Sequence, residues 1–300
     1  MKDKLAIAAS ILNKVKLPKI SNEVAQLQEE SMRPDPDVNV IAKCINRNPR
    51  LFTKFIAVAS FISKKEIQSA RQAVDILGTK GVFTVFFSSA IEFSFQSNKE
   101  NETIINHAIK VATAMSDLAS GVEGVKSGDA YLYGLLYNAG YIALNQYNPT
   151  ACKECYLTSL MTPSFSTQKE MELFGTTSSC IGVYVAKKWH VKNSVYSGIL
   201  FQQDEPAKCP DGRNLAYELI NMLNVARMVV AEAEDNLYLT DEVRQRALLS
   251  MQNLVISNRD YIRAQKRVIQ YTKDLRSFPK NTQSEESEAG KVTQSIHLIR

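Results

Sequence analysis

The sequence predicts an all-α fold, on three observations. Only 12 Gly and 9 Pro are spread over 300 residues, too few for a turn-dense β architecture. Ala, Leu, Ile and Val are abundant and mixed in spacing, which favours helices over strict strand alternation. The 45% apolar and 22% charged composition is that of an ordinary globular chain with enough apolar mass for a sizeable core.

The elements follow in order. Met1-Lys2-Asp3-Lys4 leads into the apolar run Leu5 to Leu12, then Lys14 and Lys16; it lacks a cleavage-like end and reads as an amphipathic helix rather than a signal peptide. Over 17–42, two helices flank the turn Arg33-Pro34-Asp35-Pro36-Asp37, where proline fixes φ and aspartate caps the next helix. Asn48-Pro49 opens another helix, carrying Leu51, Phe52, Phe55, Ile56 and Ala59 at helical spacing. A helix over Ser69 to Leu77 stops at Gly78, and Val82 to Phe95 is almost wholly apolar. That run carries Thr84, Ser88, Ser89 and Glu92 and falls short of the roughly 18 uninterrupted apolar residues of a membrane span. The expectation is a cytoplasmic chain with no membrane span. Five cysteines, Cys44, Cys152, Cys155, Cys180 and Cys209, suit reduced thiols better than a disulfide framework. Cys152-Lys153-Glu154-Cys155 has half-site spacing, but no second pair completes a zinc site.

The ordered set Leu17-Pro18-Lys19-Ile20, Pro34-Asp35-Pro36-Asp37, Asn48-Pro49-Arg50-Leu51, Ala59-Ser60 and Ala73 to Gly78 resembles an HDOD domain, a bacterial all-helical relative of the HD superfamily of metal-dependent phosphohydrolases. The resemblance runs from about residue 15 to about 210. Its second half passes through His107, the helix Tyr131–Ile142, Phe174-Gly175, Ile181 to Trp189 and Phe201 to Pro206. Trp189 reads as core, and Gly134 and Gly140 as points of close helix approach.

In HD enzymes the run matching Leu135 to Gly140 ends small-Leu-Leu-His-Asp-Ile-Gly, and its His and Asp ligate the catalytic metal. Here Tyr137 and Asn138 take those two places, Ser178 takes a third ligand's, and Gln202 and Gln203 take a His pair's. The chain has three histidines, His107, His190 and His297, and His107 alone falls on a ligand-like position. A site that activates water needs several imidazoles and a carboxylate, so no metal, no cofactor and no enzyme activity are expected. The residues His107, Tyr137, Asn138, Ser178, Gln202 and Gln203 read as a remnant pocket, a hydrogen-bonded seam between helices.

Beyond residue 210, helices continue over Asn214–Ala233 and Asp241–Ile256. Ser257 and Asp260 resemble a capping box, and Tyr261, Ala264, Val268, Tyr271, Leu275 and Phe278 recur at steps of three and four. That seam suits a helix of the same fold or of a second subunit, hence a possible homodimer. Residues 257–280 hold a surplus of five positive charges, including Arg259, Arg263, Lys266, Arg267, Lys273 and Arg276, which together form a candidate partner helix. The expected organisation is an HDOD-like domain over 1–210, with an N-terminal helical region over 1–100 and an HD-like region over 101–210. A helical extension over 211–280 and a polar tail over 281–300, which reads as disordered, complete it. The resemblance implies a non-catalytic regulatory protein that binds protein partners of a signalling pathway. The alternative is a small-molecule or nucleotide sensor, with a nucleotide second messenger in the remnant pocket; phosphohydrolysis and nucleic-acid binding rank below both.

Overall fold

A computed structural model describes residues 2–16, 22–31, 33–96, 101–189, 191–206 and 214–277. Leu17 to Ile20, His190, Cys209, His297 and the tail over 281–300 lie outside that set. Every regular element among the described residues is helical.

α1 (Lys2–Lys14) and α2 (Asn22–Ser31) come first. Asp37 caps α3 (Val38–Asn46) by accepting from the Asn39 N–H at 2.7 Å. Asn48 caps α4 (Pro49–Ser63) by accepting from the Leu51 N–H at 3.1 Å, with Pro49 in the first turn. Both caps satisfy N–H groups that a helix start leaves unpaired. α5 (Ala70–Gln96) breaks at Gly78, whose φ of +68° is a glycine conformation. The sequence-predicted stop is therefore a kink, after which Val82, Phe86 and Ile91 line the core.

Residues 70–94 of α5 are long and apolar enough to cross a membrane by length and composition, at a mean hydropathy of 1.4, which the run-length reading of the sequence does not flag. However, 56% of its most apolar window is buried inside the fold. Glu92, 1% exposed, pairs there with Lys54 and accepts from the Tyr131 hydroxyl at 2.9 Å. These contacts make α5 a core helix.

The chain continues as α6 (Glu102–Leu118), α7 (Ser127–Leu136), α8 (Ala139–Tyr147), α9 (Pro149–Met161), α10 (Pro163–Phe174), α11 (Ser178–Lys188), α12 (Asn193–Leu200), α13 (Leu215–Ala233), α14 (Asp241–Leu254) and α15 (Asn258–Ser277). α6 is central and packs on α7, α13 and α15, while α13 also packs on α12 and α14. Buried apolar residues from Ala8 to Val268 form one continuous cluster, so the regions separated on sequence share a core. α1, grouped on sequence with 1–100, lies instead on α8 and α11, where the Thr176 hydroxyl donates to the Lys4 carbonyl at 2.8 Å. On α15, Ala264 and Val268 are fully buried with Tyr261 and Tyr271 packed beside them, facing α6 and α13. For these four residues the seam is used within the fold; the Leu275 and Phe278 side chains lie outside the described set. Burial of a side chain such as Val268 contributes roughly 1.5–3 kcal/mol.

Candidate functional site

The chain turns at Tyr137 and Asn138. The sequence reads 131–142 as one helix, but α7 ends at Leu136 and α8 starts at Ala139, with Tyr137 and Asn138 as the caps between them. Asn138 sits at φ −96° and ψ 6°, which bends the path between the two helices. Gly140 lets α8 lie against the start of α11: a Cβ there would stand 1.9 Å from the Ser178 carbonyl oxygen. At Gly134 a Cβ would stand 2.4 Å from Ala112 Cα. Close approach, expected at both glycines, is a backbone-to-backbone requirement.

The six remnant-pocket residues divide between two polar networks. In the first, Gln202 Nε2 donates to the Tyr137 carbonyl at 3.1 Å and to Ser179 Oγ at 3.3 Å. Asn138 Nδ2 donates to the Tyr156 hydroxyl at 3.3 Å. His107 joins through Tyr156, the two rings meeting edge-on at 6.4 Å. Its Nδ1 faces the Glu234 carboxylate at 3.6 Å. Lys110 also pairs with Glu234. Burial raises the Glu234 carboxyl, but His107 and Lys110 overcome it and hold the group at about 2.

Ser178 and Gln203 belong to the second network, built around Glu170, which is 0% exposed. The Ser178 hydroxyl donates to Oε1 at 2.8 Å and the Ser178 N–H to Oε2 at 2.8 Å. The Tyr141 and Ser166 hydroxyls also donate to Oε1, and Gln203 Nε2 reaches Ser166 Oγ at 3.4 Å. Burial lifts the Glu170 carboxyl above its ordinary range, and the hydrogen bonds from Tyr141 and Ser178 pull it some of the way back. Ser178 is thus a helix-start residue bonded to a carboxylate.

Neither network offers what metal ligation needs. Burial pushes the Tyr137 phenol well above its ordinary value against the opposing pull of Arg227, so it stays neutral. Asn138 lies beside the Tyr137 hydroxyl without reaching hydrogen-bond geometry, and its Nδ2 goes to Tyr156. Among the described residues no three or more His, Cys, Asp or Glu are grouped to hold a metal ion. Cys152 and Cys155 lie on α9, buried at 0% exposure, where burial pushes both thiols up to about 12.

Several residues of the site escape a reading of the sequence. Glu170, Tyr141 and Ser166 have no motif; their one local signal is the i, i+4 spacing of Ser166 and Glu170. Arg227 has a clearer signal, a lone charge in the apolar run Val225 to Ala231. On α15, Arg259, Lys266 and Lys273 are exposed. Arg263 instead pairs with Asp117 at 2.7 Å and Asp260 at 2.6 Å, and Arg267 lies 4.4 Å over the Phe61 ring. These two arginines of the expected partner face therefore clasp α15 to the fold. The Arg276 side chain lies outside the described set. Away from these residues, a cleft of about 1150 Å³ opens between α5 and α7, lined by Phe83, Phe87 and Leu132 with Lys80, Lys126 and Lys192 at its rim.

The HDOD domain family matches residues 17–205 of this chain. The chain belongs to the HDOD family. The matched span agrees with the limits of about 15 and 210 read from the sequence, and α13 to α15 lie beyond it, although Glu234, Arg227 and Arg246 from that extension reach the HDOD domain's site. Among solved structures, an HDOD domain protein of unknown function from Geobacter sulfurreducens aligns at 20% identity over 92% of this chain and 97% of its own, with a TM-score of 0.65. A protein assigned provisionally as a metal-dependent phosphohydrolase from Shewanella amazonensis aligns at 18% identity over 90% and 99%, with a TM-score of 0.63. A provisionally assigned signal transduction protein from Marinobacter aquaeolei aligns at 19% identity over 90% and 66%, with a TM-score of 0.58. At these identities the likeness is one of fold. No curated protein matches the chain.

Proposed function

We propose that this HDOD protein is a non-catalytic regulator in a bacterial cytoplasm that acts in signal transduction by binding a protein partner. The observation that carries the reading is the wiring of the α7–α8 turn. Tyr137, Asn138, Ser178, Gln202 and Gln203, at the HD ligand positions, are neutral groups, and the last four each donate hydrogen bonds to groups of the fold. The two acids nearby are committed as well, Glu170 to hydroxyls and Glu234 to His107 and Lys110.

The α5–α7 cleft supports the choice of a protein partner. It combines an apolar floor, Phe83, Phe87 and Leu132, with the exposed Lys80 and Lys126 and with Lys192, whose charge is shared with Asp129 of the same cleft at 2.7 Å, and so suits an amphipathic, acidic helix laid into a groove. Affinity capture from the native cell with wild-type protein and with a Lys80→Glu/Lys126→Glu variant tests this. A partner retained by the wild type and lost by the folded variant is expected; equal capture by both sinks the cleft as the docking surface. A second reading, a small-molecule or nucleotide sensor, is favoured by one observation: several polar atoms around Tyr137 are buried without partners.

A further inference from the structure

Polar atoms enclosed in a protein are normally bonded, because an unpaired donor loses its water without replacement. Beneath the α7–α8 turn a group of donors breaks this rule. Arg227 on α13 is 6% exposed, and its Nε and Nη1 have no partner. Arg246 Nε, Ser250 Oγ and Tyr137 Oη are likewise buried and unpartnered.

The helix hairpin brings these atoms to one level. Asn253 Nδ2 donates to Asn221 Oδ1 at 3.1 Å, which fixes the register of the antiparallel pair α13 and α14. Moving six residues along each helix toward their connection sets Arg227 opposite Ala247. Arg246 and Ser250 flank that point, one turn apart on one face of α14. From the other side, the Tyr137 ring lies under the Arg227 guanidinium at 5.7 Å. Arg227 is also close enough to Arg246 to oppose its charge, adding to the effect of burial in pulling that guanidinium down.

Arg246 is held by Glu205, which accepts from Nη1 at 3.1 Å, and by the Gln203 and Asp204 carbonyls, which accept from Nη2, so that its Nε alone is left over. No carboxylate pairs with Arg227 in this way, and Glu234 serves His107 and Lys110. A buried guanidinium with two unpaired N–H groups is strongly disfavoured unless an anion accepts from it. The orphans on this hairpin and on the ring facing it are three guanidinium N–H groups, which can only donate, and two hydroxyls, which can donate; this points to an acceptor-rich ligand. Two amide oxygens are also unpartnered: Gln202 Oε1, whose amide nitrogen is bonded to the Tyr137 carbonyl, and Gln203 Oε1.

We propose that Arg227, Tyr137, Arg246 and Ser250 form an enclosed receptor for a phosphate group; when the ligand is inorganic phosphate, Gln202 accepts the proton that hydrogen phosphate retains near neutral pH. One tetrahedral oxyanion offers oxygens to donors arriving from the α7 end, α13 and α14. Tyr137 and Gln202 are at positions that the resemblance gives to metal ligands, while Arg227, Arg246 and Ser250 come from helices beyond the matched span; the two guanidiniums give the site a positive charge that attracts an anion directly. This deepens the sensing reading and rests on it, while leaving the protein-partner reading independent.

The test is thermal unfolding of the full chain in inorganic phosphate against chloride at matched ionic strength. At phosphate one hundred times its dissociation constant, a rise in Tm on the order of 5 °C is expected. The rise should vanish in Arg227→Met. In Tyr137→Phe, which keeps the ring and removes one donor, phosphate affinity should fall about tenfold, the measure of one charge-assisted hydrogen bond. No phosphate-specific rise in the wild type, or an equal rise in Arg227→Met, overturns the site. Sulfate carries no proton at this pH, so a sulfate shift equal to that of phosphate overturns the assignment to inorganic hydrogen phosphate. Nucleoside monophosphate and cyclic dinucleotide arms separate the sources. Nucleotide stabilisation that depends on Arg227 makes the phosphoryl group the ligand, and a response to inorganic phosphate alone makes it the free anion and ends the nucleotide reading. Nucleotide stabilisation that survives Arg227→Met keeps the sensing reading and overturns this receptor.

Discussion

Replacing Glu234 by Gln isolates the charge that ties the extension to the HDOD domain. Glu234 follows α13, and its carboxylate meets Lys110 and His107 of α6. The pairing lowers the carboxyl from 4.5 to about 2, which corresponds to roughly 3 kcal/mol. At 21% side-chain exposure, solvent screens that to about 1–2 kcal/mol. The folded carboxyl binds its proton less readily than the unfolded one. The stabilisation is therefore complete above about pH 4.5 and drains as pH falls toward 2. Urea unfolding of wild type and Glu234→Gln should show the variant about 1–2 kcal/mol less stable at pH 7, with less than half of that gap left at about pH 3. A gap of the same size at both pH values, or none at pH 7, would refute the reasoning.

Two further outcomes are expected. Gly140→Ala should cost about 3 kcal/mol, because the added Cβ meets the Ser178 backbone. Gly128→Ala, whose nearest neighbour is Thr84 Cγ2 at 3.6 Å, should change stability by no more than about 0.5 kcal/mol; chemical denaturation of both compares them, and equal effects would contradict the close approach. In the folded protein at pH 8, Cys152 and Cys155 should resist thiol-specific labelling and become reactive once unfolded, and mass-spectrometric detection of rapid labelling at either position in the native state would contradict their burial.

The features of this structure legible in the sequence are those governed by local chemistry. Asp37 and Asn48-Pro49 announce helix starts because a side-chain oxygen and a proline act within three residues. Gly78 marks a break because only its own φ is involved, and Trp189 is core as expected, at 3% exposure. What depends on distant partners stayed hidden. Glu170 gathers hydroxyls from α8, α10 and α11, and no local pattern records that convergence. The division of the remnant pocket into two networks follows from the turn at Asn138, where the bend directs Tyr137 toward α13 and leaves Ser178 facing α10. Arg263 and Arg267 read as surface charge because periodicity shows a face and not its occupant; Asp117 and Phe61 occupy it.

The most direct measurement on the central claim combines metal content and turnover. Protein incubated with manganese or ferrous iron, freed of loose metal and assayed on phosphodiester substrates, should carry well under one metal per chain and show no activity above a Tyr137→Ala control. Stoichiometric metal accompanied by phosphodiester hydrolysis that Tyr137→Ala abolishes would contradict the account.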